Sequence, residues 1–174
     1  DLNFLLGMNV EFLADFSAHL ADHPFLLGDR PSIGDFSLYG SLYAHLYRDP
    51  YSGRLMKERA PAVADWVERM TNPEPKSGGF LADDEIPRTL EPMLQRMFSE
   101  QGPVLSNTID AVAQWAKENE GDSPLPRSIG KHDFSIGGCR GERSINPYHL
   151  WMWQRAYDQY QSLSAESRSQ ADTL

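Results

Sequence analysis

The amino-acid sequence predicts an all-α helical bundle with one small β-hairpin near its C-terminal end, and three observations carry that expectation. Apolar residues recur at helical steps of three and four in segment after segment. Proline- and glycine-rich stretches separate those segments, and strands nowhere alternate with helices in the way that builds a parallel sheet.

The first segment places Leu5, Met8, Phe12, Phe16 and Leu20 on one face of a helix over residues 2–22, and Pro24 closes it. An apolar link, Phe25-Leu26-Leu27, and the turn Gly28-Asp29 lead to Pro31. Ser32-Ile33-Gly34-Asp35 then forms a capping box. The Ser32 hydroxyl accepts from the Asp35 N–H, and the Asp35 carboxylate accepts from the Ser32 N–H at the positive end of the helix dipole. The helix that follows, over 36–47, spreads Phe36, Leu38, Tyr39, Leu42, Tyr43, Leu46 and Tyr47 over several faces, the pattern of a helix buried nearly all round.

Pro61 suits the first turn of a third helix, whose Ala62, Val63, Trp66, Val67 and Met70 repeat on one side; the stretch from Asn72 to Gly79 ends it. Leu90, Met93, Leu94, Met97 and Phe98 define a fourth helix with Pro92 in its first turn, and Leu105, Ile109, Val112 and Trp115 a fifth. After a loop over 121–128, Phe134 and Ile136 alternate before Gly137-Gly138, which predicts the hairpin. Asn146-Pro147 opens a last helix carrying Leu150, Trp153, Tyr157 and Tyr160, and the polar final residues are expected to fray.

With 174 residues, 40% of them apolar, the chain can bury a core but hardly two full domains. Its formal net charge of -9 disfavours nucleic acid and anionic membrane surfaces as partners. A single cysteine, Cys139, excludes an internal disulfide, and with no spanning-length apolar run or signal peptide the expected location is the cytoplasm. The chain opens at Asp1 and runs straight into an apolar helix, which reads as a segment of a longer protein.

The run Phe25-Leu26-Leu27-Gly28-Asp29-Arg30-Pro31-Ser32-Ile33-Gly34-Asp35-Phe36-Ser37-Leu38-Tyr39 resembles the entry to the central helix of the glutathione-transferase C-terminal domain, and residues 61–70 resemble the next helix of that family. The likeness covers roughly the first seventy residues. It implies 1–71 as core helices of such a domain and 72–174 as a helical extension packed on it, like that of some bacterial members.

The resemblance further implies a staple between Pro31 and Phe36, a thioredoxin-like N-terminal domain that holds glutathione as cosubstrate, a homodimer, and a site wall for a small apolar electrophile. Conjugation or glutathione-dependent reduction then belongs to the intact protein, and this chain alone carries no catalytic residue. The rival reading is a non-catalytic protein-interaction or small-ligand-binding module.

Tyr43, Tyr47, Trp151 and Arg155 are the candidate substrate-binding residues, because they offer flat apolar area and a cation; each aromatic equally suits a core. Ser32 and Asp35 belong to folding. His19 and His23 have a metal-ligand spacing but no third ligand, so no metal is expected and an exposed helix end accounts for them. Cys139, with His132 and Arg143 nearby in sequence, is a candidate nucleophile or a plain hairpin thiol. Lys131, Arg140, Arg143 and Arg155 are a basic concentration, able to receive a carboxylate or to pair with Asp133, Glu142 and Asp158.

Overall fold

The computed structural model describes residues 2–72, 78–119, 121, 124–136 and 139–172. The Leu5 and Met8 side chains and the Gly137-Gly138 turn lie outside the described residues. Two compact units result, Asp1–Leu94 and Gln95–Leu174.

The first unit contains α1 (Leu2–Asp22), α2 (Ile33–Leu42) running on into a π-helical turn (Tyr43–Tyr47), α3 (Pro50–Arg59), α4 (Pro61–Thr71), and two 3-10 turns (Ala82–Asp84 and Arg88–Leu90). Its core lies where α1 meets α4. Phe16, Val63, Trp66 and Val67 are wholly buried, and the Phe16 ring meets the Trp66 ring edge-on at 5.0 Å. Burying each such side chain is worth about 1.5–3 kcal/mol, so this seam anchors the unit.

Two expectations change here. The sequence leaves residues 48–60 without an element, yet α3 forms there. Asp49 caps it, accepting from the Tyr51 and Ser52 N–H groups at 3.0 Å each, and Pro50 fills the first helical position. Apart from Gly53 and Met56 none of its residues is buried, so the apolar periodicity that betrays other helices is weak. The segment 36–47 is also less enclosed than its pattern suggests. Leu42 is buried, the tyrosines are half-buried against the core, and Phe36 is 55% exposed.

The second unit contains α5 from residue 95 on (the helix begins at Glu91 and ends at Glu118), the antiparallel pair β1 (Lys131–Ile136) and β2 (Cys139–Ser144), α6 (Tyr148–Ser162) and α7 (Ala165–Ala171). The predicted fourth and fifth helices are one helix. Pro103 sits inside it, costing one backbone bond, while Leu94, Phe98, Gln101, Leu105, Thr108 and Val112 keep a continuous helical step across it. The hairpin forms as expected, and Ile145, buried beyond β2, extends the pairing through Ile129 N–H to Ile145 C=O at 3.1 Å. α7 lies in the segment expected to fray. Ser164 caps α7, and the Tyr160 hydroxyl donates to Asp172 at 2.6 Å.

Candidate functional site

The buried carboxylate of Asp35 organises the start of α2. Oδ2 accepts from the Ser32 N–H at 2.8 Å and the Ser32 hydroxyl at 2.7 Å; Oδ1 accepts from the Leu26 N–H at 3.1 Å and the Trp66 indole N–H at 3.3 Å. The capping box expected from Ser32 and Asp35 is therefore present, and it does more than cap. It ties the apolar link to α4.

The link is held from a second side. Gly28, at φ +123°, lets residues 25–29 pair with 79–81: Asp29 N–H donates to Gly79 C=O at 3.0 Å and Leu81 N–H to Leu27 C=O at 2.9 Å. A Cβ on Gly28 would lie 2.8 Å from the Gly79 oxygen, so both the conformation and the approach require glycine.

His19 supplies a third tie. Its side chain is wholly buried, against the expectation of an exposed helix end. Because a carbonyl only accepts, Nε2–H donates to Phe25 C=O at 3.1 Å, and Nδ1 accepts from the Thr89 hydroxyl at 2.8 Å. Burial pushes its pKa below the usual histidine value, and the neighbouring His23 pushes the same way. His19 thus joins the link to the turn Arg88–Leu90 as a neutral imidazole, and among the described residues no cluster of ligating side chains could hold a metal.

Between those anchored pieces runs a groove of about 620 Å³, its walls formed by Leu26, Leu27, Ile33, Phe80, Leu81 and Ile86 together with Leu90 and Leu94. Ile33, inside the capping box itself, is 86% exposed at its edge, and Phe80 is 52% exposed with the Arg30 guanidinium 4.9 Å above its ring. Among the described residues of the lining, Ser32 is the only one with a polar side chain, and its hydroxyl is engaged by Asp35. Apart from that hydroxyl, the described lining residues hold no acid, base or nucleophile. What this groove can do is take apolar surface.

The expected ligand residues lie elsewhere. Tyr43 and Tyr47 come together in the first unit as part of a stack, Tyr39 to Tyr43 at 5.2 Å and Tyr43 to Tyr47 at 6.3 Å, with the Lys57 ammonium 4.7 Å from the Tyr47 ring. The Tyr47 hydroxyl donates to Glu68 at 2.6 Å, and that bond raises its pKa, so it is not a ready phenolate. An open recess of about 420 Å³ adjoins it, lined by charged residues such as Arg48, Asp49 and Lys57.

Trp151 and Arg155 belong to the second unit, where the guanidinium lies 6.0 Å from the ring and the Trp151 ring is 5.6 Å from that of Tyr148. Cys139 is exposed and paired in register with Ile136, four residues along β2 from Arg143 and its partner His132. That spacing of roughly 13 Å keeps the thiol away from both side chains. Lys131 pairs with Glu142 at 2.6 Å, as structural pairing predicts.

Sequence reasoning missed the groove. The available signal was three apolar runs with no helical role: Phe25-Leu26-Leu27, the solvent-facing Ile33 of the box, and Phe80-Leu81 after a proline- and glycine-rich stretch. Missing was the knowledge that residues some fifty positions apart pair across Gly28.

Residues 10–69 match the family model described as "Glutathione S-transferase, C-terminal domain", a span that holds the capping box, the Asp35 hub and the α1–α4 seam. No curated protein and no solved structure gave a match. No described helix is long and apolar enough to cross a membrane.

Proposed function

We propose, from the premise that residues 10–69 are a glutathione-transferase C-terminal helical domain, that this chain is the substrate-side domain of a glutathione-transferase-like protein. The observation that carries the reading is the apolar groove beside the capping box, whose volume of about 620 Å³ falls in the range of small-molecule sites. On this reading the intact protein holds glutathione on a thioredoxin-like domain, which lowers the thiol pKa, and the helical domain presents a small apolar electrophile to the thiolate. Binding and desolvation are this chain's share of the work, and thiol activation is the other domain's.

We place the electrophile in the groove in preference to Tyr43 and Tyr47 or to Trp151 and Arg155. The groove walls are almost wholly apolar, whereas Tyr47 is engaged with Glu68 and Lys57, and Trp151 is more than half exposed on its helix. A second reading, docking of an apolar face of another protein or of a second copy, is favoured by the 86% exposure of Ile33.

The turnover test uses glutathione and chlorodinitrobenzene with the chain alone. Product formation at the uncatalysed rate is expected; turnover far above it would overturn the division of labour, since a catalytic thiol site would then lie within these residues.

A further inference from the structure

We propose that the second unit contains a site for a small carboxylate with an apolar body, formed by Arg143 and His149 in a cavity lined also by Gln101, Val104, Leu105, Met152 and Trp153. The cavity measures about 380 Å³, and a second hollow of about 250 Å³, lined by Phe98, Leu105, Ile109 and Trp153 among others, shares part of that lining. A benzoate-sized body fits such a volume.

The polar side is built from β2 and the first turn of α6. Arg143 is half-buried, and its Nη2 donates to His149 Nδ1 at 3.4 Å. A guanidinium has no acceptor, so Nδ1 must be the unprotonated nitrogen and the proton of a neutral His149 sits on Nε2, free to donate to a ligand. Glu142, the acid next to Arg143 in the strand, faces the other way by strand alternation and is occupied by Lys131 at 2.6 Å. Among the described residues no carboxylate pairs with Arg143. A planar fork with free donors, set against apolar wall, is the arrangement that receives a carboxylate.

A second unpartnered group lies on the same strand face. His132 is the cross-strand partner of Arg143, and both its ring nitrogens are buried without a hydrogen-bond partner. Burial first, then the Arg143 charge, lowers its pKa, with His149 adding to the effect and Asp133 opposing it. The imidazole is thus neutral, with a donor and an acceptor both unfilled beside a lone guanidinium. His132 does not line the cavity, so it bears on the site only as the cross-strand neighbour of Arg143.

The proposal is tested by calorimetric titration of the full chain with sodium benzoate, using benzyl alcohol and inorganic phosphate for comparison. Benzoate is expected to bind saturably, and more tightly than either. Arg143→Gln should weaken it about tenfold or more, Arg143→Lys by less, and Ala156→Leu, which fills the cavity from an exposed helix position, should also weaken it. Lys117→Gln, at an exposed position of α5 away from the cavity lining, should leave binding unchanged. Absence of saturable benzoate binding, unchanged affinity in Arg143→Gln or in Ala156→Leu, or tighter binding of phosphate than of benzoate would each overturn the assignment.

Discussion

Replacing Asp35 by alanine removes the acceptor of four donors at a fully buried position: the Ser32 N–H and hydroxyl, the Leu26 N–H and the Trp66 indole N–H. The Ser32 hydroxyl can turn to another acceptor, but the other three are fixed in direction. A buried donor left without a partner costs about 1–3 kcal/mol, and water entering the space vacated by the carboxylate recovers part of that. The net loss for Asp35→Ala is therefore about 3–5 kcal/mol, against a typical domain stability of about 5–15 kcal/mol. Asp35→Asn keeps the shape and one acceptor oxygen but turns an amide N–H₂ toward donors, and should cost about 2–3 kcal/mol. Ser32→Ala loses a cap and should cost about 1 kcal/mol. Urea denaturation followed by far-UV circular dichroism, with Trp fluorescence as a second probe, gives these differences. If Asp35→Ala falls within about 1 kcal/mol of the unsubstituted chain, the carboxylate is not the hub described here.

Other substitutions probe the anchors around the groove. Gly28→Ala forces a side chain into φ +123° and against the Gly79 oxygen, and should destabilise the first unit by about 2 kcal/mol or more in the same denaturation assay. Because the folded-state pKa of His19 lies below its unfolded value of 6.5, the stability it contributes is present above about pH 6.5 and is lost as pH falls through the lowered folded-state value. His19→Gln should thus show a flatter dependence of melting temperature on pH over about pH 5–7 than the unsubstituted chain. Tyr47→Phe removes one exposed bond to Glu68 and should change stability by less than about 1 kcal/mol, measured by thermal melting.

How much was legible in the sequence follows from which interactions are local. The capping box spans four residues, so Ser32 and Asp35 announce it. The periodic faces of α1, α4 and α6 announce themselves because one side of each repeats apolar residues. By contrast α3 has a strong cap but almost no buried face, and the sequence reads α5 as two helices because its apolar residues fall into two sets on either side of Gly102 and Pro103.

The site was hidden for a different reason. Asp35 bonding to Trp66, His19 to Thr89, and Asp29 to Gly79 are long-range pairings, and no local spacing encodes them. A histidine near a helix end looks solvated until the turn over residues 88–90 closes on it. Tyr43 and Tyr47 stand four apart on one helical segment, but spacing gives no sign of the Glu68 and Lys57 contacts that occupy Tyr47.

The central claim, that the helical domain receives apolar surface in the groove beside its capping box, is tested most directly by a methyl-resolved NMR titration of the full chain with nitrobenzene, an unreactive aromatic. The account predicts saturable shifts concentrated on Leu26, Leu27, Ile33, Leu81, Ile86 and Leu94, abolished by Ile33→Asp at an exposed position where the fold is undisturbed. Shifts absent from those methyls, or centred on the residues packed around Tyr43 and Tyr47, would contradict it.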